Sequence, residues 1–108
     1  MRQRLPDTDD QSATRFFAVV EEIGKSAPVA MDATGAALIA AIYLGVGTDS
    51  RSLSNRLGIA HALVLREITA LSDRFLTVNR RDLRTQRTWL ELTREGTDLA
   101  TRSVENIA

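Results

Sequence analysis

Arginine is the residue type whose placement carries the most chemistry in this chain. Positions 51–90 hold eight arginines (Arg51, Arg56, Arg66, Arg74, Arg80, Arg81, Arg84 and Arg87) against three acidic residues, a net charge of +5. Residues 1–50 carry −3 and residues 91–108 carry −2, so the zero total of the 108-residue chain conceals a basic middle between acidic flanks. A guanidinium group presents a planar fork of donors that matches phosphate. Clustered positive charge of this kind is the electrostatic footprint of a nucleic-acid partner.

Other chemistries find little material. With no cysteine, the chain has no disulfide framework, thiolate zinc site or cysteine nucleophile. A single histidine, His61, excludes a multi-histidine metal site within one chain. Gly45-Val46-Gly47 lacks the third glycine and the preceding strand of a dinucleotide-binding turn. No spacing of Ser, His and Asp suggests a triad, and neither an enzyme, a cofactor nor a metal is expected. His61 has two readings: contact with a base or phosphate, with titration near its unperturbed pKa of about 6.5, or a solvated residue near a helix start.

The elements that position these residues follow from apolar spacing. A polar arm over the first ten residues leads into a helix from about Asp10 to Ile23, with Asp9, Asp10 or Ser12 as cap; Phe16, Val20 and Ile23 make its stripe, and Gly24 is expected to end it before Pro28. A second helix starts near Asp32 or Thr34, with Ile39, Ile42, Tyr43 and Val46 on one face. A third has Asp49 as N-cap and Leu53 and Leu57 as core positions, stopping at Gly58. A fourth runs from about His61 to Asp73 on Val64, Ile68 and Leu71. The short glycine-containing turn between the third and fourth is that of a helix-turn-helix.

The period then changes from 3.6 to 2. Phe75 to Asn79 and Arg87 to Leu92 read as the strands of a hairpin with a charged tip, and a last helix opens near Thr93 or Thr97 with Leu99, Val104 and Ile107 apolar. A solvated loop is the plain reading of the hairpin arginines; their position beside a helix-turn-helix favours nucleic-acid contact. Trp89 points opposite to Leu90 and Leu92 if the strand alternates strictly, toward a partner chain, the first helix or the core. The longest uncharged run, Ala33 to Thr48, is too short and too glycine-broken to span a bilayer. No signal peptide is apparent, because Pro6, Asp7, Asp9 and Asp10 stand where its apolar stretch belongs, so a cytoplasmic location without membrane association is expected.

This order resembles a winged helix-turn-helix, a mainly α fold with a small β-hairpin wing (α+β). Leu53-Ser54-Asn55-Arg56-Leu57-Gly58-Ile59 is similar to the stretch that ends the first helix of the motif in bacterial regulators. Asp82-Leu83-Arg84-Thr85-Gln86-Arg87, with Leu90-Glu91-Leu92-Thr93-Arg94-Glu95-Gly96 and Leu99, resembles the wing and its exit in the multiple-antibiotic-resistance regulator (MarR) family. The resemblance is strongest from Leu38 to Ala100. It implies a homodimeric, double-stranded DNA-binding transcriptional regulator with the fourth helix in the major groove, where His61, Ala62, Leu65, Arg66 and Thr69 face bases. The wing over 79–88 contacts a minor groove and the backbone, with Arg84 at the groove and Arg51, Arg56, Arg80, Arg81 and Arg87 at phosphates.

It further implies three segments: 1–30, arm and helix, for dimerisation; 31–96, the DNA-binding domain; and 97–108, a short C-terminal helix for dimerisation. Dimer contacts are expected from Phe16, Phe17, Val20, Leu99, Val104 and Ile107. The C-terminal helical part is shorter than the family's usual one, and no residue pattern identifies an effector ligand. The fourth helix opens on Ala60-His61-Ala62-Leu63-Val64-Leu65-Arg66, more apolar than the family's usual recognition helix. That supports an alternative: a winged-helix module binding another regulator through the apolar surface of this helix.

Overall fold

The computed structural model describes residues 8–107, with side chains described from residue 11 onward. The N-terminal arm and the Asp9 or Asp10 cap therefore lie outside the described side chains. The first helix, α1 (Thr8–Ser26), buries Val19 and Ile23 completely. It does not stop at Gly24. That glycine is exposed with open space around it, and its cost of about 1 kcal/mol relative to alanine is tolerable while neighbouring turns hold. The Ala27 N–H still reaches the Ile23 carbonyl at 2.9 Å, and Pro28, which has no N–H, follows the break.

The second helix, α2 (Ala33–Tyr43), is capped by Asp32, whose carboxylate accepts the Gly35 N–H at 2.9 Å. Leu38, Ile39, Ala40 and Ala41 are all fully buried, which makes α2 the central helix that the others cover. The third, α3 (Ser50–Leu57), starts on Asp49 and ends on Gly58 at φ 67°, a left-handed conformation that costs a residue with a Cβ about 1–2 kcal/mol. The fourth, α4 (His61–Leu71), buries Val64, Ile68 and Leu71. It ends before Asp73, because Ser72 adopts extended backbone while its hydroxyl donates to the Ile68 carbonyl at 2.8 Å.

Two antiparallel strands, β1 (Leu76–Arg81) and β2 (Thr88–Leu92), form the hairpin. The last helix, α5 (Arg94–Ile107), starts on Thr93, whose hydroxyl accepts the Gly96 N–H at 3.1 Å. The described residues are thus mainly helical with one two-stranded sheet, the expected α+β class. Val19 and Ile23 of α1, Leu99 and Ala100 of α5, and the buried faces of α2 and α4 share one core. Leu99, expected to face a partner, is corrected: it is fully buried within its own protomer and offers no surface. No helix among the described residues is long and apolar enough to cross a membrane.

The hairpin register contains one irregularity with consequences. Val78 pairs with Leu90 but Arg80 pairs with Trp89, so Asn79 is an extra residue on β1. Without it, Asn79 would stand opposite Trp89. The bulge brings Arg80 there instead, with its guanidinium carbon over the indole, 4.2 Å from the ring centroid. Beside β2, the Leu90 N–H reaches the Thr48 carbonyl at 2.8 Å and Asp49 bridges Trp89, so the chain entering α3 lies along the hairpin's second strand.

Candidate nucleic-acid interface

The hairpin tip is organised by Asp82. Its carboxylate accepts the Arg84 N–H at 2.9 Å, its own N–H reaches the Arg87 carbonyl at 2.8 Å, and its carbonyl accepts the Gln86 N–H at 2.7 Å. Gln86 takes the left-handed conformation, φ 62°, that closes the turn. This loop holds Arg84 outward, exposed and without a side-chain hydrogen bond or ion pair to any described residue. Leu83 beside it is 79% exposed. Arg80 and Arg81 are also exposed on β1, Arg81 donating weakly to the Thr88 hydroxyl at 3.4 Å.

Three consecutive residues at the start of α3 fasten this hairpin to the helices. Asp49 caps α3 by accepting the Ser52 N–H at 3.0 Å and takes the Arg87 guanidinium on both oxygens, at 2.9 and 3.3 Å. Buried Ser50 accepts the Thr88 N–H on its hydroxyl at 2.9 Å and sits 2.8 Å from His61 Nε2. Arg51 donates to the Thr85 carbonyl at 3.0 Å. The starts of α3 and α4 and the hairpin base therefore meet at one socket.

The electrostatics of the socket follow from its geometry. Burial works to raise the Asp49 pKa, but hydrogen bonds from Arg87 and Ser52 outweigh it and hold the carboxyl at about 2, against an ordinary 3.8. Burial and the nearby Arg51 charge keep the His61 pKa below its ordinary 6.5, while Asp49 pulls the other way. His61 is therefore a neutral partner of Ser50 at pH 7. At its N-cap, Ala60, α4 has no side-chain acceptor, so the positive end of that helix is left without a capping carboxylate or hydroxyl.

The remaining candidate residues divide by location. On α4, Ala62, Arg66 and Thr69 are exposed, with the Thr69 hydroxyl bonded back to the Leu65 carbonyl at 3.2 Å. Leu65 is partly buried against the core, and Leu63, at 41% exposure, is the open leucine of this helix. Arg56 stands apart from the hairpin: with Arg15 it lines a cavity of about 730 Å³ between α1 and α3, among Phe16, Phe17, Val46 and Leu57. Arg87, expected at a phosphate, is engaged by Asp49 and packs over Trp89 at 5.2 Å while its side chain stays partly exposed.

No protein-family model and no curated protein matches this chain.

Sequence reasoning singled out the exposed arginines and His61 but not the Asp49–Arg87 pair, the Ser50 relay or the Arg80–Trp89 stack. The signal for the first was present only as an N-cap aspartate and a strand-start arginine 38 positions apart. Among the described residues no cluster of His, Asp or Glu is arranged to hold a metal ion.

Proposed function

We propose that this protein is a sequence-specific, double-stranded DNA-binding transcriptional regulator of the winged helix-turn-helix type, similar to the MarR family and acting as a homodimer. The observation that carries the reading is the socket at Asp49, Ser50 and Arg51, which joins the start of α4 to a basic hairpin whose tip arginine, Arg84, is exposed with no side-chain partner among the described residues. In this reading α4 enters a major groove with His61, Ala62, Arg66 and Thr69 toward the bases. Arg84 reaches an adjacent minor groove, where a narrow A·T-rich stretch concentrates negative potential. Arg51, Arg80 and Arg81 meet phosphates and set register.

The dimer belongs to the same proposal. Phe17 is 67% exposed on α1, an unusual place for a phenyl ring unless another surface covers it. Around it, the α1–α3 cavity and a smaller one of about 260 Å³ share Phe16, Phe17 and Leu57 as lining. A second copy packing α1 against α1 covers this face and joins two weakly binding protomers on one palindromic site.

Selection of bound duplexes from a random pool, followed by fluorescence anisotropy of the winners across salt concentrations, tests the reading. Expected are a symmetric consensus and an affinity that falls with salt. Arg84→Ala is expected to weaken binding by about tenfold, corresponding to ~1.4 kcal/mol, most on narrow-groove sites. Salt-independent affinity would sink the reading.

A second reading is favoured by the open Leu63 and Ala62: α4 as a docking face for another regulator. Leu63→Glu separates the two. Loss of a co-purifying protein with DNA affinity retained favours docking; loss of sequence selectivity favours the groove.

A further inference from the structure

Of the four hairpin arginines, Arg87 alone has its charge neutralised by a carboxylate among the described residues. Its Nε lies 2.9 Å from one oxygen of Asp49 and a terminal nitrogen lies 3.3 Å from the other. Asp49 is 5% exposed, whereas the Arg87 side chain is 44% exposed at the hairpin base. The carboxylate thus sits beneath an arginine that would otherwise face the same solvent as Arg80, Arg81 and Arg84. A helix cap alone does not require a charge here, because serine, threonine or asparagine fills an N-cap as well as aspartate does.

We propose that Asp49 is a positioning residue that withholds Arg87 from nucleic-acid phosphate and seats the hairpin against α3, limiting phosphate contact by the hairpin to its remaining arginines. This inference rests on the DNA-binding reading. A phosphate contact made by an arginine releases counterions and counts for every sequence alike, so it raises non-specific affinity without raising selectivity. An Asp–Arg pair of zero net charge releases almost none. Aspartate at this position trades non-specific binding for a fixed hairpin angle, which suits a protein whose net charge is zero.

The test is Asp49→Asn in the full chain, which keeps an N-cap acceptor and removes the charge. Binding to a fluorescein-labelled random-sequence duplex is followed across salt. The slope of log K against log salt is expected to steepen by about 0.9, the value of one additional phosphate contact. Adding Arg87→Gln should return it to the wild-type value. Asp98→Asn, at an exposed position of α5, makes the same charge change elsewhere and should leave the slope alone. Amide exchange at Thr88 should accelerate in Asp49→Asn with or without DNA.

A wild type that binds without salt dependence overturns the DNA-binding reading and the withholding together. A salt-dependent wild type whose slope is unchanged in Asp49→Asn, or whose double variant stays steep, overturns the withholding alone. Unchanged exchange at Thr88 overturns the seating role.

Discussion

A single carboxylate, that of Asp49, accepts from the Ser52 amide and from two nitrogens of Arg87 while almost fully buried. Removing its charge by acid should therefore loosen the start of α3 and the hairpin base together. The folded-state pKa of about 2 lies below the ordinary 3.8, so the stabilisation is complete above pH 3.8 and is lost as pH falls through 3.8 toward 2. The gap is worth ~2 kcal/mol. Thermal melts from about pH 5 to about pH 2 should show the stability advantage of wild type over Asp49→Asn shrinking with acidity. An advantage that stays constant would mean the carboxylate is not the titrating group. His61, with its pKa held below 6.5, has the same sign in a higher window: its contribution is full above pH 6.5 and declines as pH falls below that. His61→Gln should flatten that part of the profile.

Among the elements, the close packing of the start of α5 on the backbone just before β1 makes the sharpest demand on a residue type. A Cβ on Gly96 would collide with the Phe75 carbonyl oxygen, which itself accepts the Thr93 N–H at 3.0 Å. Backbone cannot move aside as a flexible side chain can, so Gly96→Ala is expected to cost at least ~3 kcal/mol in urea unfolding. A loss below about 1 kcal/mol would show that α5 shifts freely over β1. The elements also show where sequence reading reaches and where it stops. The Asp49 cap and the Gly58 stop are local events, written in residues whose own chemistry enforces them, and both were legible. Gly24 was misread because a glycine permits a helix end without compelling one. The extension of β1 to Arg81 depends on the Asn79 bulge, which no alternation pattern reports. The Asp49–Arg87 pair and the Thr48 contact with Leu90 join residues some forty positions apart, beyond any local spacing argument.

Across the whole molecule, the exposed large apolar side chains among the described residues include Phe17 on α1, and Leu63 and Leu83 beside the arginines of α4 and the hairpin tip. The basic segment supplies the hairpin and the starts of α3 and α4, whereas the exposed phenyl ring of Phe17 lies on α1 in the acidic N-terminal segment. A dimer formed through α1 would leave the hairpin of both copies open, while Arg56 lies at the covered face. Light scattering should find a dimer for wild type and a protomer for Phe17→Glu, with helix content unchanged by circular dichroism. A dimer that persists in Phe17→Glu would place the interface elsewhere. Val20, Val104 and Ile107 pack partly against the protomer core, so their truncation would report folding together with association.

The bulge at Asn79 has one more outcome. By bringing Arg80 over Trp89, with Arg87 on the same indole, it sets the chain's only tryptophan against two cations in the hairpin. The molecule therefore carries its own optical label at the element proposed to touch DNA. Indole emission, sensitive to the charges beside the ring, reports on hairpin movement without any dye being attached.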